Sequence, residues 1–119
     1  MSQKEVYASA ARTATPTAVN VSTIHAHSLR VILDATAVAA TPSVVVTIDA
    51  VDSLSGKFVN LLTSAAITAT GTTTLTIALG VTVAANVSAS TPLGDNVRIT
   101  VTHGDADSIT YSVSAHLIR

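Results

Sequence analysis

The chain has 119 residues and no cysteine, with six basic against seven acidic side chains, a formal net charge of −1 and only 11% charged residues. Ordinary soluble domains carry about 25% charged residues, and a chain of this length buries roughly two thirds of the surface its unfolded form exposes. One domain is therefore expected to fold without a disulfide or thiolate metal site, and scattered cations (Lys4, Arg12, Arg30, Lys57, Arg98, Arg119) argue against nucleic acid as a partner.

Residues 1–16, "MSQKEVYASAARTATP", mix small and polar side chains, alternate weakly and end in proline. They predict an extended N-terminal arm, either disordered or ordered by lying on a partner. No apolar run suggests a secretory signal or a transmembrane helix, so no membrane association is expected.

Residues 17–119 predict a single all-β domain, because apolar residues recur at every second position. "TAVNVST" is a short candidate strand. "SLRVILDATAV" sets Leu29, Val31, Leu33 and Ala35 on one face against Arg30, Asp34 and Thr36. "SVVVTIDAV" groups Val44, Val46 and Ile48, and "KFVNLLT" follows with Phe58 at a core-like position. "AAITAT" is weaker. "TTTLTIALG" alternates Leu75, Ile77 and Leu79 with Thr74 and Thr76, and "GVTVAANVSA" is again weak. "NVRITVTH" turns Val97, Ile99 and Val101 inward, and "SITYSVSAHLI" does the same for Ile109, Tyr111, Val113, Ala115 and Leu117. Glycine and proline clusters separate the segments. About seven to nine strands at this spacing predict an antiparallel β-sandwich, jelly-roll or Ig-like.

Two clusters invite a chemical reading. "HGDADS" brings His103, Asp105, Asp107 and Ser108 together, yet it lacks the further oxygen ligands of a calcium loop and any nucleophile motif. Gly104 and the aspartates are turn chemistry, so a hairpin turn is expected, insensitive to single substitution of His103 or Asp105. "HAH" places His25 and His27 two residues apart, on one side of any strand. A metal-dependent hydrolase built on this pair is the remote alternative, lacking a third ligand that sequence can place. No catalytic residue, metal site or cofactor motif is therefore assigned. Three aromatics, two of them at core-like positions, leave only Tyr7 spare and provide no platform for stacking sugars.

The charge distribution is more informative. Residues 35–48 and 58–94 contain no charged side chain at all. A domain free in solution keeps itself apart from others with a charged surface, so much of this one's surface is expected to be either coated with Thr and Ser or covered by neighbours.

The phrases "ASAARTATPTAV" (8–19), "ATPSVVVTIDAVDSLSGKFVNLL" (40–62) and "DADSITYSVSAHL" (105–117) resemble a family of small virion proteins of tailed bacteriophages. The resemblance runs in order along nearly the whole chain and rests on small-residue phrases, not on a catalytic signature. It implies a non-enzymatic structural protein located in the virion and assembled in the host cytoplasm. The first reading is a capsid decoration (cement) protein bridging subunits of the major capsid protein; a tail, neck or fibre component is the alternative. The implied partners are the major capsid protein and copies of this chain, in closed symmetry with a trimer favoured. Tyr7 and Arg12 on the arm, with Thr74 and Thr76 on an outward strand face, are the candidate contacts to capsid or neighbour. Deleting residues 1–11 is expected to spare the sandwich and weaken attachment, and Asp at Thr74 or Thr76 to spare folding and disturb assembly.

Overall fold

A computed structural model describes residues 2–119 and contains no helix. The strands are β1 (Ser2–Arg12), β2 (Val19–Ser22), β3 (Ser28–Val38), β4 (Val44–Asp52), β5 (Lys57–Thr63), β6 (Gly71–Ala78), β7 (Ser88–Ala89), β8 (Asn96–His103) and β9 (Ile109–Ile118). They form a five-stranded sheet, β1-β9-β3-β6-β7, facing a four-stranded sheet, β2-β8-β4-β5.

With the two-residue β7 set aside, the antiparallel pairs β1/β9, β2/β8, β3/β6 and β4/β5 are nested in the sequence. That nesting describes one long hairpin, whose additional pairs β3/β9 and β4/β8 close it into two sheets. A hairpin rolled in this way is a jelly roll, which resolves the choice between jelly-roll and Ig-like order. Only the innermost pair is joined by a short local turn. There the Asp52 carboxylate accepts from the Leu54 amide (3.1 Å) and the Ser55 hydroxyl (2.8 Å), and Gly56 supplies a φ of 73°.

Alternation dictates the core. Leu29, Val31, Leu33 and Ala35 on β3, Val44, Val46 and Ile48 on β4, and Leu75 and Ile77 on β6 all point between the sheets. Val97, Ile99 and Val101 on β8, and Ile109, Tyr111, Val113, Ala115 and Leu117 on β9, do the same. Burial of each such side chain is worth about 1.5–3 kcal/mol, and β-branched residues suit the pleated surface they cover.

Four expectations need correction. Residues 2–12 are extended but are not an arm separate from the sandwich: they form the edge strand β1, paired with β9 from Ser2↔Leu117 to Arg12↔Ile109. Register shifts between Glu5 and Tyr7 and between Tyr7 and Ala10 disturb the alternation, which conceals the strand in the sequence. They also allow two successive residues, Val6 and Tyr7, to be buried. Met1 lies outside the described residues.

Phe58, expected inward, is 46% exposed. Ile48 pairs with Leu62 while the next residue, Asp49, pairs with Asn60, so Leu61 is a bulge in β5. One extra residue reverses the parity of everything before it and sends Phe58 outward. Leu79 is 68% exposed because β6 ends at Ala78 and the chain turns at Gly80, φ 86°. Residues 104–108 are not a hairpin turn either, since they join β8 to β9 in opposite sheets.

Candidate functional site

The four expected contact residues separate into two groups at opposite flanks. Tyr7 and Arg12 lie on β1, and Thr74 and Thr76 on β6. The two strands belong to one sheet, with β9 and β3 between them.

Tyr7 and Arg12 are engaged inside their own chain. The Tyr7 ring is buried and its hydroxyl donates to the Thr17 carbonyl at 2.6 Å. Arg12 donates to the Tyr111 carbonyl at 2.8 Å, to Ala8 at 2.7 Å and to Ala10 at 3.2 Å. Ala8 lies within the second register shift and Ala10 closes it, where the strand departs from regular pairing. A guanidinium, with five donors in a fixed fork, can satisfy several carbonyls at once. The same group lies over the rings of Tyr111 (4.7 Å) and Tyr7 (5.5 Å), a cation–π arrangement. Arg12 is thus a clamp that locks an irregular edge strand onto the core, and neither it nor Tyr7 is a free hook for a partner.

The clamp continues to His103. Its Nε2 is 3.0 Å from the hydroxyl of Tyr111, and the two rings are 5.8 Å apart at a 40° tilt. Burial raises the Tyr111 hydroxyl to about 12 against the nearby Arg12 charge, and it raises Tyr7 as well. Burial holds His103 below its ordinary 6.5, an effect larger than the opposing attraction of Asp105; Arg12 adds to the lowering. The His103 Nδ1 is buried with no hydrogen-bond partner among the described residues. Protonating this ring would place a cation beside Arg12 in a poorly solvated position. His103 is therefore the last residue of β8, engaged with Tyr111, and not part of a turn.

The other members of the "HGDADS" cluster tie loops together. The Asp107 carboxylate accepts from the Thr41 amide at 3.1 Å and its hydroxyl at 3.3 Å, and Gly104 donates to the Ser43 carbonyl at 2.8 Å. Asp105 accepts from the Asp107 amide at 3.1 Å. His25 and His27 are exposed in the loop between β2 and β3, where His25 has a φ of 61°, and they do not share a strand face. Among the described residues no group of three or more His, Asp or Glu is placed to hold a metal ion.

Thr74 is exposed and Thr76 half-buried on the outward face of the five-stranded sheet, as alternation predicts. Cross-strand from them, Ile32 faces Thr74 and Arg30 faces Thr76. The opposite sheet carries one organised polar group on its outer face. Asp49 pairs with Arg98 at 3.3 Å and accepts from Asn60 at 3.2 Å, and the Arg98 guanidinium lies 3.5 Å from the Phe58 ring centroid. Phe58 is the one exposed aromatic residue among those described, and its face is occupied in this way.

The uncharged segment 58–94 folds into one flank. It contains β5, the last strand of one sheet, and β6 and β7, the last strands of the other, joined where the Asn86 side chain donates to the Thr63 carbonyl at 3.0 Å. Val59, Leu79, Val83 and Val87 are all more than half exposed here. Beside the start of β6 lies an open groove of about 430 Å³, walled by residues 65–74 with Asn86 and Val87. Thr74 and Thr76 are legible as an outward face, but the groove is not, because it sets Asn86 and Val87 against residues 65–74. No family model, curated protein or solved structure matches the chain.

Proposed function

We propose that the protein is a non-enzymatic structural component of a bacteriophage virion, a capsid decoration protein that bridges major capsid protein subunits and contacts copies of itself. The observation that carries this reading is the flank formed by residues 58–94. It exposes Leu79, Val83 and Val87 and an open groove with no charged side chain in the segment. Free proteins avoid such surfaces because they associate; a protein held in a repeated lattice has them covered. The jelly roll supports the reading only by analogy, since capsid and lectin domains both use it. The lectin use is disfavoured by chemistry. A sugar ring stacks on an open aromatic face, and here Tyr7 and Tyr111 are buried while Arg98 covers Phe58.

In this reading attachment comes from many modest contacts repeated over the shell, and the clamped β1 edge contributes rigidity in place of a strap. The test is to add purified protein to phage particles stripped of it, sediment them and image the shell. Saturable occupancy at symmetric capsid positions is expected. Failure to co-sediment, or density confined to the tail or neck, would count against decoration.

A further inference from the structure

We infer that the exposed edge of β6 is a self-pairing site, where Thr72 and Thr74 bond antiparallel to Thr74 and Thr72 of a second copy about a two-fold axis through Thr73. The inference specifies the self-contact of the preceding reading and rests on it only for the expectation that copies meet.

The geometry begins at Thr76, whose amide donates to the Val87 carbonyl at 3.0 Å, away from β3. Backbone N–H and C=O groups change side at each residue of a strand, so those of Thr74 and Thr72 also point away from β3. β7 pairs only with Thr76 and Ile77 before the chain turns aside through Asn86, φ 64°. Thr72 and Thr74 therefore present their backbone groups along the edge, with no ladder partner among the described residues, and the groove of residues 65–74 lies beside them. A second β6 in antiparallel register would exchange two bonds at each Thr72–Thr74 pair. It would also set threonine opposite threonine, a favourable cross-strand match.

Natural edges are protected against such pairing by lysine, bulges or shortness, and the other three edges here have these features. β1 has Lys4 opposite the inward-facing Ala115, and two register shifts. β5 has Lys57 and its bulge, and β2 is four residues long. β6 has neither charge nor proline; the nearest charges, Arg30 and Asp34, lie on β3 across from Thr76 and Thr72, on the side away from the open edge. The expected symmetry is therefore two-fold, in place of the three-fold symmetry that the resemblance implied.

Native mass spectrometry and sedimentation equilibrium of the purified chain should show a dimer, with the Thr72 and Thr74 amides exchanging slowly with solvent in it. Thr74→Lys, at an exposed outward position, should keep the melting temperature of the monomer fold and abolish the dimer; Thr74→Pro should act the same way by removing the edge donor. A monomer at millimolar concentration, fast exchange at both amides, or an oligomer that Thr74→Lys leaves intact would overturn the pairing. The parent chain separates the two proposals: a monomer in solution that still occupies stripped particles removes the pairing and leaves decoration standing, whereas a β6-paired dimer that does not bind them removes decoration and leaves the pairing.

Discussion

The five-stranded sheet has two edges built in opposite ways. The β1 edge is long, irregular and charged. Its register shifts at Glu5–Tyr7 and Tyr7–Ala10 are fastened by the Arg12 guanidinium against Tyr111, and Tyr7 and Val6 reach into the core. The β6 edge is regular, uncharged and open over Thr72 and Thr74, beside a groove. Both edges end the same sheet, so the contrast is not a matter of fold class. An irregular edge must be held by specific side chains and is then closed to partners. A regular edge needs no such fastening and remains able to pair.

The most disruptive way to break this comparison is to remove β1. Deletion of residues 2–12 uncovers Tyr111 and the β9 ladder and removes the buried Val6 and Tyr7. At about 1.5–3 kcal/mol for each buried side chain, in a domain whose whole stability is about 5–15 kcal/mol, the truncated chain should fail to give a cooperative thermal transition. A truncated protein melting like the parent would mean that β1 contributes little. Tyr111→Ala should follow, losing about 3–5 kcal/mol in chemical denaturation through its cavity, with Tyr111→Phe much milder. Arg12→Ala should cost about 2 kcal/mol, the scale of hydrogen bonds from a charged donor. The loss should appear first as faster amide exchange in β1 while β6 is unchanged.

A pH series sharpens the same clamp. His103 is held below 6.5 in the folded protein by burial, so below that pH the unfolded chain binds the proton first. Stability should be full above about pH 6.5, fall as the pH drops below it, and level off once the folded ring also protonates. His103→Gln should flatten this dependence in thermal melts between about pH 7 and pH 5; an unchanged slope would exclude His103 as its source. The smallest effect on folding belongs to the other edge, where Thr74→Lys should change stability by less than about 0.5 kcal/mol while changing association the most.

Much of the fold is legible in the sequence where alternation is uninterrupted. The inward faces of β3, β4, β8 and β9 follow directly from period-two patterning, and so does the outward position of Thr74. Legibility fails where an added residue reverses the face that alternation assigns. The bulge at Leu61 turns Phe58 outward, and the shifts in β1 make a sheet strand look like a patternless arm. Tyr7 and Arg12 were expected to contact a partner; their bonds within the chain were not legible, since Arg12 reaches the Tyr111 carbonyl 99 positions away only through the β1/β9 ladder.

The order of residues by itself determined an all-β chain, the face each regular strand buries, and a long stretch without charge. Each of these depends on side-chain type and near neighbours alone. Tertiary structure decided that the hairpin rolls into a jelly roll, that Arg12 reaches Tyr111, and that Asn86 and Val87 wall a groove with residues 65–74. Those outcomes depend on pairings between distant strands, which local alternation does not encode.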